Sequence, residues 1–298
     1  MNCAQVLIEG IKAMGAERIY GVIGTSNISF VDALYDHQEE IRYISCRHEQ
    51  VAASMADAEG RLTGVPGVAL THSGPGTLNA LISAGNAYKD CSPMVVISGA
   101  VKRKLRGSDG MLEADHVGIF APLCKGVFRL EDAGRAAAVF SKAYTLAVSG
   151  ARGPVLIEVP EDVWGEELHG PPPDFRLSAE FRPPLHVEDV WRALGTVKEA
   201  ERPLLLSGGG VAYSRSSDLL VRFAEALHVP VITTGNGRGT IPEDHPLCLG
   251  RAGFGGGNTV ADTALMEADV VLGLGCTISD MTSYEYTLPI NGDVVLVN

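Results

Sequence analysis

Val6, Leu7, Ile11 and Met14 recur at the three- and four-residue spacing of a helix with one apolar face, and Gly15 ends the run. Arg18 to Val22 then predicts a strand, Phe30 to Asp36 a helix and Arg42 to Cys46 a strand. The alternation continues through a helix at Glu49 to Leu62, a strand at Val68 to His72 and a helix at Leu78 to Tyr88. Met94 to Ser98 carries no charge and reads as a strand buried on both faces. A helix from Arg135 to Val148, closed by Gly150, feeds a strand from Pro154 to Val159. Parallel strands joined by helical crossovers follow from this order.

Between Pro160 and Pro184 the periodicity stops, and Pro171-Pro172-Pro173 and Pro183-Pro184 mark an extended linker. A second alternation follows. It has helices at Val187 to Ala200, Asp218 to Leu227 and Thr259 to Glu267, and strands at Leu204 to Ser207, Val229 to Thr233, Asp269 to Leu274 and Asp293 to Val297. The expected class is α/β with two doubly wound parallel-sheet domains: residues 1–165, a linker at 166–185, and a Rossmann-like unit at 186–298. The second unit is expected to be incomplete, because the chain stops at Asn298 directly after the strand Val294 to Val297.

Composition narrows the partners. A chain of 298 residues with a net charge of −12 lacks the basic excess that a nucleic-acid surface requires. No run reaches the ~18 apolar residues of a membrane span, and no signal peptide is visible. Cys3, Cys46, Cys91, Cys124, Cys248 and Cys276 form no Cys-x-x-Cys pair and have no histidines at zinc spacing, so no metal site is expected. A cytoplasmic protein acting on a small molecule fits these features.

The chemistry concentrates at Arg47-His48-Glu49-Gln50, which opens an alanine-rich helix just after a short strand. Glu49 is thereby set at the rim of a sheet, and a carboxyl kept from water is disposed to share a proton with a neighbouring base. Other strings stand around it in order: Gly21 to Asn27, Thr71-His72-Ser73-Gly74-Pro75-Gly76-Thr77-Leu78-Asn79, Gly107 to Glu113, and Arg152 to Pro160. Together they resemble the thiamine diphosphate enzymes of the acetolactate synthase and benzoylformate decarboxylase family, over a pyrimidine-binding domain and most of a central domain.

The resemblance implies a 2-oxo acid decarboxylase or carboligase, a homodimer or homotetramer, in which Glu49 shares a proton with the cofactor pyrimidine. It implies cofactor contacts at Gly24, Ser73, Gly74, Pro75 and Asn79. His72 is either a proton shuttle at the substrate or a hydrogen-bonded residue at a strand end. Thr25 either meets substrate or helps start the next helix, whereas Ser26 and Asn27 are expected to cap that helix. Met111 and Leu112 stand where synthases carry Phe-Gln, which implies a more apolar acceptor pocket, and Arg152 is a candidate for substrate or a second cofactor.

Mg²⁺ and diphosphate are held in this family by a Gly-Asp-Gly motif in a third domain, and no such motif is found here. FAD or ADP occupies the central domain of some members, but Ser207-Gly208-Gly209-Gly210 leads to Tyr213 and leaves the dinucleotide fingerprint incomplete. The same gap argues against an NAD-linked dehydrogenase. The basic run Lys102, Arg103, Lys104 and Arg106 is either a phosphate site or a solvated loop. The alternative to an enzyme is a half-site subunit that supplies its pyrimidine domain to a partner chain.

Overall fold

The computed structural model describes residues 1–168, 173–175, 177 and 186–298. It divides into two units, Met1–Arg182 and Pro183–Asn298. Most of the predicted linker at 166–185 lies outside the described residues.

The first unit begins with α1 (Cys3–Ala13), closed at its start by a capping box. Asn2 Oδ1 accepts from the Gln5 amide at 3.0 Å, and Gln5 Oε1 accepts from the Asn2 amide at 2.9 Å. The chain continues through β1 (Arg18–Gly21), α2 (Ile28–Tyr35), β2 (Arg42–Ser45), α3 (Glu49–Thr63), β3 (Gly67–Thr71), α4 (Pro75–Asn79) and α5 (Leu81–Lys89). It ends with β4 (Met94–Ala100), α6 (His116–Phe120), β5 (Gly126–Arg129), α7 (Ala136–Val148) and β6 (Pro154–Pro160). The six strands pair in parallel in the order β2-β1-β3-β4-β6-β5.

Every residue of β3, β4 and β6 is buried, as expected for strands covered on both faces. One face packs Phe30, Phe140 and Trp164 with α1 and α7. On the other, Ala52, Ala53 and Ala56 let α3 lie close to the sheet, beside Ala84 and Ala87 of α5. Asp57, 5 % exposed, ties α3 to α5: it takes a two-pronged bond from Arg61 and a third from Asn86 Nδ2 at 3.1 Å.

Two expectations change. The helix predicted from Leu78 to Tyr88 is two helices joined at Ala80, because α4 is pinned separately to the strands beneath it. Its buried Thr77 hydroxyl reaches Thr71 Oγ1 at 3.0 Å, Ser98 Oγ at 2.5 Å and the His72 carbonyl at 2.7 Å. The short edge strand β5 and the short helix α6 are additions to the predicted set.

The second unit contains α8 (Val187–Glu199), β7 (Pro203–Ser207), α9 (Gly209–Tyr213), α10 (Ser217–Leu227), β8 (Val231–Thr233), β9 (Cys248–Arg251), α11 (Thr259–Glu267), β10 (Val270–Leu274) and β11 (Asp293–Val297). Its parallel order is β11-β10-β7-β8-β9, with β9 and α9 added to the expected elements. The loops after β7 and β10 touch, the Gly210 amide donating to the Gly275 carbonyl at 2.8 Å, which accounts for the glycine run at 208–210 by backbone approach. Both units are parallel sheets flanked by helices, the expected fold class. Among the described residues no helix is long and apolar enough to cross a membrane.

Candidate active site

In the first sheet the chain runs outward from β1 to β2 and then crosses back to β3 on the other side of β1. Such a reversal opens a crevice beyond the carboxyl ends of the two central strands, where open α/β sheets bind ligands. The loops that leave β1 and β3 meet there. His72 Nδ1 lies 2.7 Å from Ser26 Oγ, and the Ser73 amide donates to the same hydroxyl at 3.0 Å. The His72 ring lies so close to Gly24 that a Cβ on that glycine would come within 2.3 Å of His72 Cγ.

Glu49 enters the crevice from β2. His48 takes the N-cap position of α3, its Nδ1 accepting from the Gln50 amide at 3.2 Å, and this sets Glu49 at the first helical position. The glutamate side is favoured by the positive end of the helix, yet only 7 % of the residue is exposed. Asn79 Nδ2, at the far end of α4, donates to Glu49 Oε2 at 3.1 Å. Among the described residues Oε1 has no hydrogen-bond partner, and it borders Gly76, where a Cβ would lie 2.6 Å from Oε1 and 3.1 Å from His72 Cβ.

Gly74 begins α4 at φ +64° and ψ −125°, a conformation that side chains rarely adopt. Its amide donates at 3.0 Å to Nε2 of His116, which is 1 % exposed. His116 therefore carries its proton on Nδ1 and donates to Glu158 Oε2 at 2.9 Å, while Arg129 Nε donates to Glu158 Oε1 at 2.5 Å. Burial opposes the charge on Glu158, but the bonds from His116 and Arg129 outweigh it and hold this carboxyl below its ordinary range. A cavity of about 240 Å³ lies against this group, bordered by Ser73, Leu112, Arg106 and His116.

The structure thus gathers Glu49, His72, Gly24, Ser73, Gly74, Pro75 and Asn79 around one crevice. Leu112 joins through its backbone, its carbonyl accepting from Ser73 Oγ at 2.9 Å. Thr25 is exposed and makes no hydrogen bond among the described residues. Met111 is 94 % exposed. Arg152 precedes β6 beside Gly64, at the amino-terminal edge of the sheet, and is not brought to Glu49.

Asn27 takes the expected N-cap position of α2, but its side chain does not bond the helix: its Oδ1 accepts from the Gly24 amide at 2.9 Å and its Nδ2 donates to the Val22 carbonyl at 3.0 Å. Ser26 does not cap the helix; its hydroxyl is engaged by His72 and the Ser73 amide. Unpaired backbone groups of the turn compete more effectively for these side chains than the helix end does. Of the basic run, Lys102 pairs with Glu161, Arg103 with Asp162 and Glu166, and Arg106 with Glu131, so acids already face most of it.

Residues 1–119 match the model described as "Thiamine pyrophosphate enzyme, N-terminal TPP binding domain", and residues 190–298 match its central domain. The chain belongs to the thiamine pyrophosphate enzymes. It is 38 % identical over 285 residues to a Methanocaldococcus jannaschii protein named "Probable acetolactate synthase large subunit", covering 94 % of this chain and 48 % of that protein. It is 35 % identical to the acetolactate synthase large subunit of Buchnera aphidicola, over 95 % of this chain and 50 % of that one. An X-ray structure from Mycobacterium smegmatis, assigned to the thiamin diphosphate-dependent enzymes, superposes with a TM-score of 0.86 at 26 % identity, covering 99 % of this chain and 56 % of that one. The chain spans about half the length of the curated relatives it matches.

Proposed function

We propose that this chain supplies the pyrimidine side of the cofactor site in a thiamine diphosphate-dependent 2-oxo acid decarboxylase or carboligase of the acetolactate synthase type. The observation that carries the reading is Glu49: a buried carboxyl with Oε2 held by Asn79 and Oε1 unpartnered among the described residues, at the carboxyl-terminal crevice of the sheet. A carboxyl with one oxygen fixed and the other available fits an aminopyrimidine ring nitrogen, so the residues present suit the cofactor. When bound, thiamine diphosphate supplies the carbon nucleophile and the electron sink for decarboxylation.

Glu49 holds the proton shared with the pyrimidine. Gly76, without a side chain, leaves Oε1 uncovered, and Asn79 fixes the carboxyl plane. His72, oriented by Ser26, acts on the proton of the substrate rather than that of the cofactor. Gly24, Ser73, Gly74 and Pro75 form the cofactor-facing backbone, with Thr25 exposed at the mouth toward a small 2-oxo acid. Leu112, in place of an amide, gives the acceptor side an apolar wall suited to a bulkier partner.

Mg²⁺ and the diphosphate belong, in this reading, to residues beyond these 298, and the chain alone binds cofactor weakly. The working enzyme is a cytoplasmic homodimer or homotetramer, and the reading gives FAD or ADP no part in the chemistry. The test is purification of the full-length protein with thiamine diphosphate and Mg²⁺, followed by assay of CO₂ release and C–C products across a panel of 2-oxo acids. Cofactor-dependent CO₂ release is expected. Cofactor binding without turnover of any 2-oxo acid would favour a half-site subunit instead.

A further inference from the structure

We propose that His116 is a positioning residue for Glu49, acting through the Gly74 amide and the short helix α4. The inference rests on the cofactor role given to Glu49 above. Helix α4 has five residues, too few to hold its own orientation, so its placement is set by anchors: Thr77 ties its middle to the strands beneath, and its two ends are held separately. At its start, Gly74 holds a backbone conformation that would leave its buried amide unpaired without His116 Nε2. At its end, Asn79 fixes Glu49 Oε2, and midway Gly76 borders Glu49 Oε1.

The acceptor is held in one tautomer. Glu158, in the buried strand β6, takes the Nδ1 proton of His116 in a hydrogen bond, and Arg129 holds the opposite carboxylate oxygen. Nε2 therefore presents a lone pair to Gly74. A histidine that merely filled space would need neither the carboxylate nor a fixed tautomer. The order Arg129, Glu158, His116, Gly74 instead fixes the direction of one backbone N–H, and the displacement it prevents is one that Glu49 would feel. Among the described residues, Glu49 takes its side-chain hydrogen bond from Asn79 and none from these three side chains, so the effect passes through α4.

The test compares His116→Leu, which removes the acceptor, with His116→Gln, whose amide can both accept from Gly74 and donate to Glu158. In cofactor-free protein, ¹⁵N NMR of the wild-type ring should show Nδ1 protonated and Nε2 bare, and hydrogen exchange should show Gly74 protected. His116→Leu should speed Gly74 exchange by at least about tenfold and, in the full-length enzyme loaded with thiamine diphosphate and Mg²⁺, slow exchange of the cofactor C2 proton by about tenfold. His116→Gln should recover most of both. A protonated Nε2 in the wild type, or wild-type C2 exchange in a folded His116→Leu, would overturn the assignment. If His116→Leu does not fold, the ring tautomer and His116→Gln decide: C2 exchange as slow as in a Glu49→Gln control would count against it. Normal exchange in Glu49→Gln itself would refute the Glu49 reading, whereas slow exchange there with normal exchange in His116→Leu would refute only the role of His116.

Discussion

Glu158→Gln removes one charge from the interior of β6 while keeping the shape of the side chain. Glu158 is 2 % exposed, its His116 partner 1 %, and its Arg129 partner 31 %. Breaking a buried ion pair by deleting one member costs about 3–5 kcal/mol, because the remaining charge stays without compensation. Arg129 keeps a third of its side chain in water and has Asp115 at 3.9 Å as a second, weaker partner, so the expected loss lies at the lower end, about 3 kcal/mol. For a domain of this size that is a fall of about 6–12 °C in melting temperature. The Gln amide can satisfy only one of its two donors as acceptor and must turn an N–H toward the other.

The pH dependence follows from the lowered carboxyl. Glu158 titrates lower in the folded protein than in the unfolded chain, so its stabilisation is complete above the unfolded value of about 4.3 and is lost as pH falls through the folded value. Gln does not titrate. The gap between wild type and variant should be constant through neutral pH and narrow in acid. Trp164, fully buried in the same unit, reports this unfolding by fluorescence. Trp191, 64 % exposed in the second unit, changes less. A neutral-pH gap under about 1 kcal/mol, or one that persists unchanged in acid, would refute the reasoning.

Two further outcomes follow from the geometry. Gly76→Ala places a methyl group 2.6 Å from Glu49 Oε1, against an ordinary contact of about 3.5 Å, so the carboxyl must move by nearly 1 Å. Turnover of the loaded enzyme should fall on the order of 10²-fold in steady-state assays while thermal stability changes by no more than about 2 kcal/mol; unchanged turnover would show that Glu49 is not confined there. Among the cysteines, burial pushes Cys3 and Cys124 up to about 12 and Cys276 to about 11, so alkylation of the native protein followed by mass spectrometry should label the half-buried Cys46, Cys91 and Cys248 first. Labelling of Cys3 as fast as Cys46 would contradict the packing around α1.

The alternation of apolar runs was legible because long helices have a clear apolar face and fully buried strands are largely apolar runs: α3, β4 and β6 start where the pattern predicts. Strands β5 and β9 escaped it. Each has four half-buried residues with no alternation, and β9 carries Gly250 at φ +95° beside a register shift. The Glu49 crevice could be read from local strings, since Gly24, Glu49 and the Gly74 turn each lie just beyond a strand. The relay behind it could not, because Arg129, His116 and Glu158 come from three elements that only the sheet order brings together. One sign was present: a carboxylate inside the apolar run Val155-Leu156-Ile157-Glu158-Val159 requires a partner, which the sequence does not name.

The role proposed for Glu49 is to share the proton that activates the cofactor. It is tested most directly by the rate at which the C2 proton of bound thiamine diphosphate exchanges with deuterium, followed by NMR after acid quench, in full-length wild type and Glu49→Gln. Exchange should be slower by roughly 10²- to 10⁴-fold in the variant, with the fold and melting behaviour retained. Exchange at the wild-type rate in a folded, cofactor-loaded Glu49→Gln protein would contradict it.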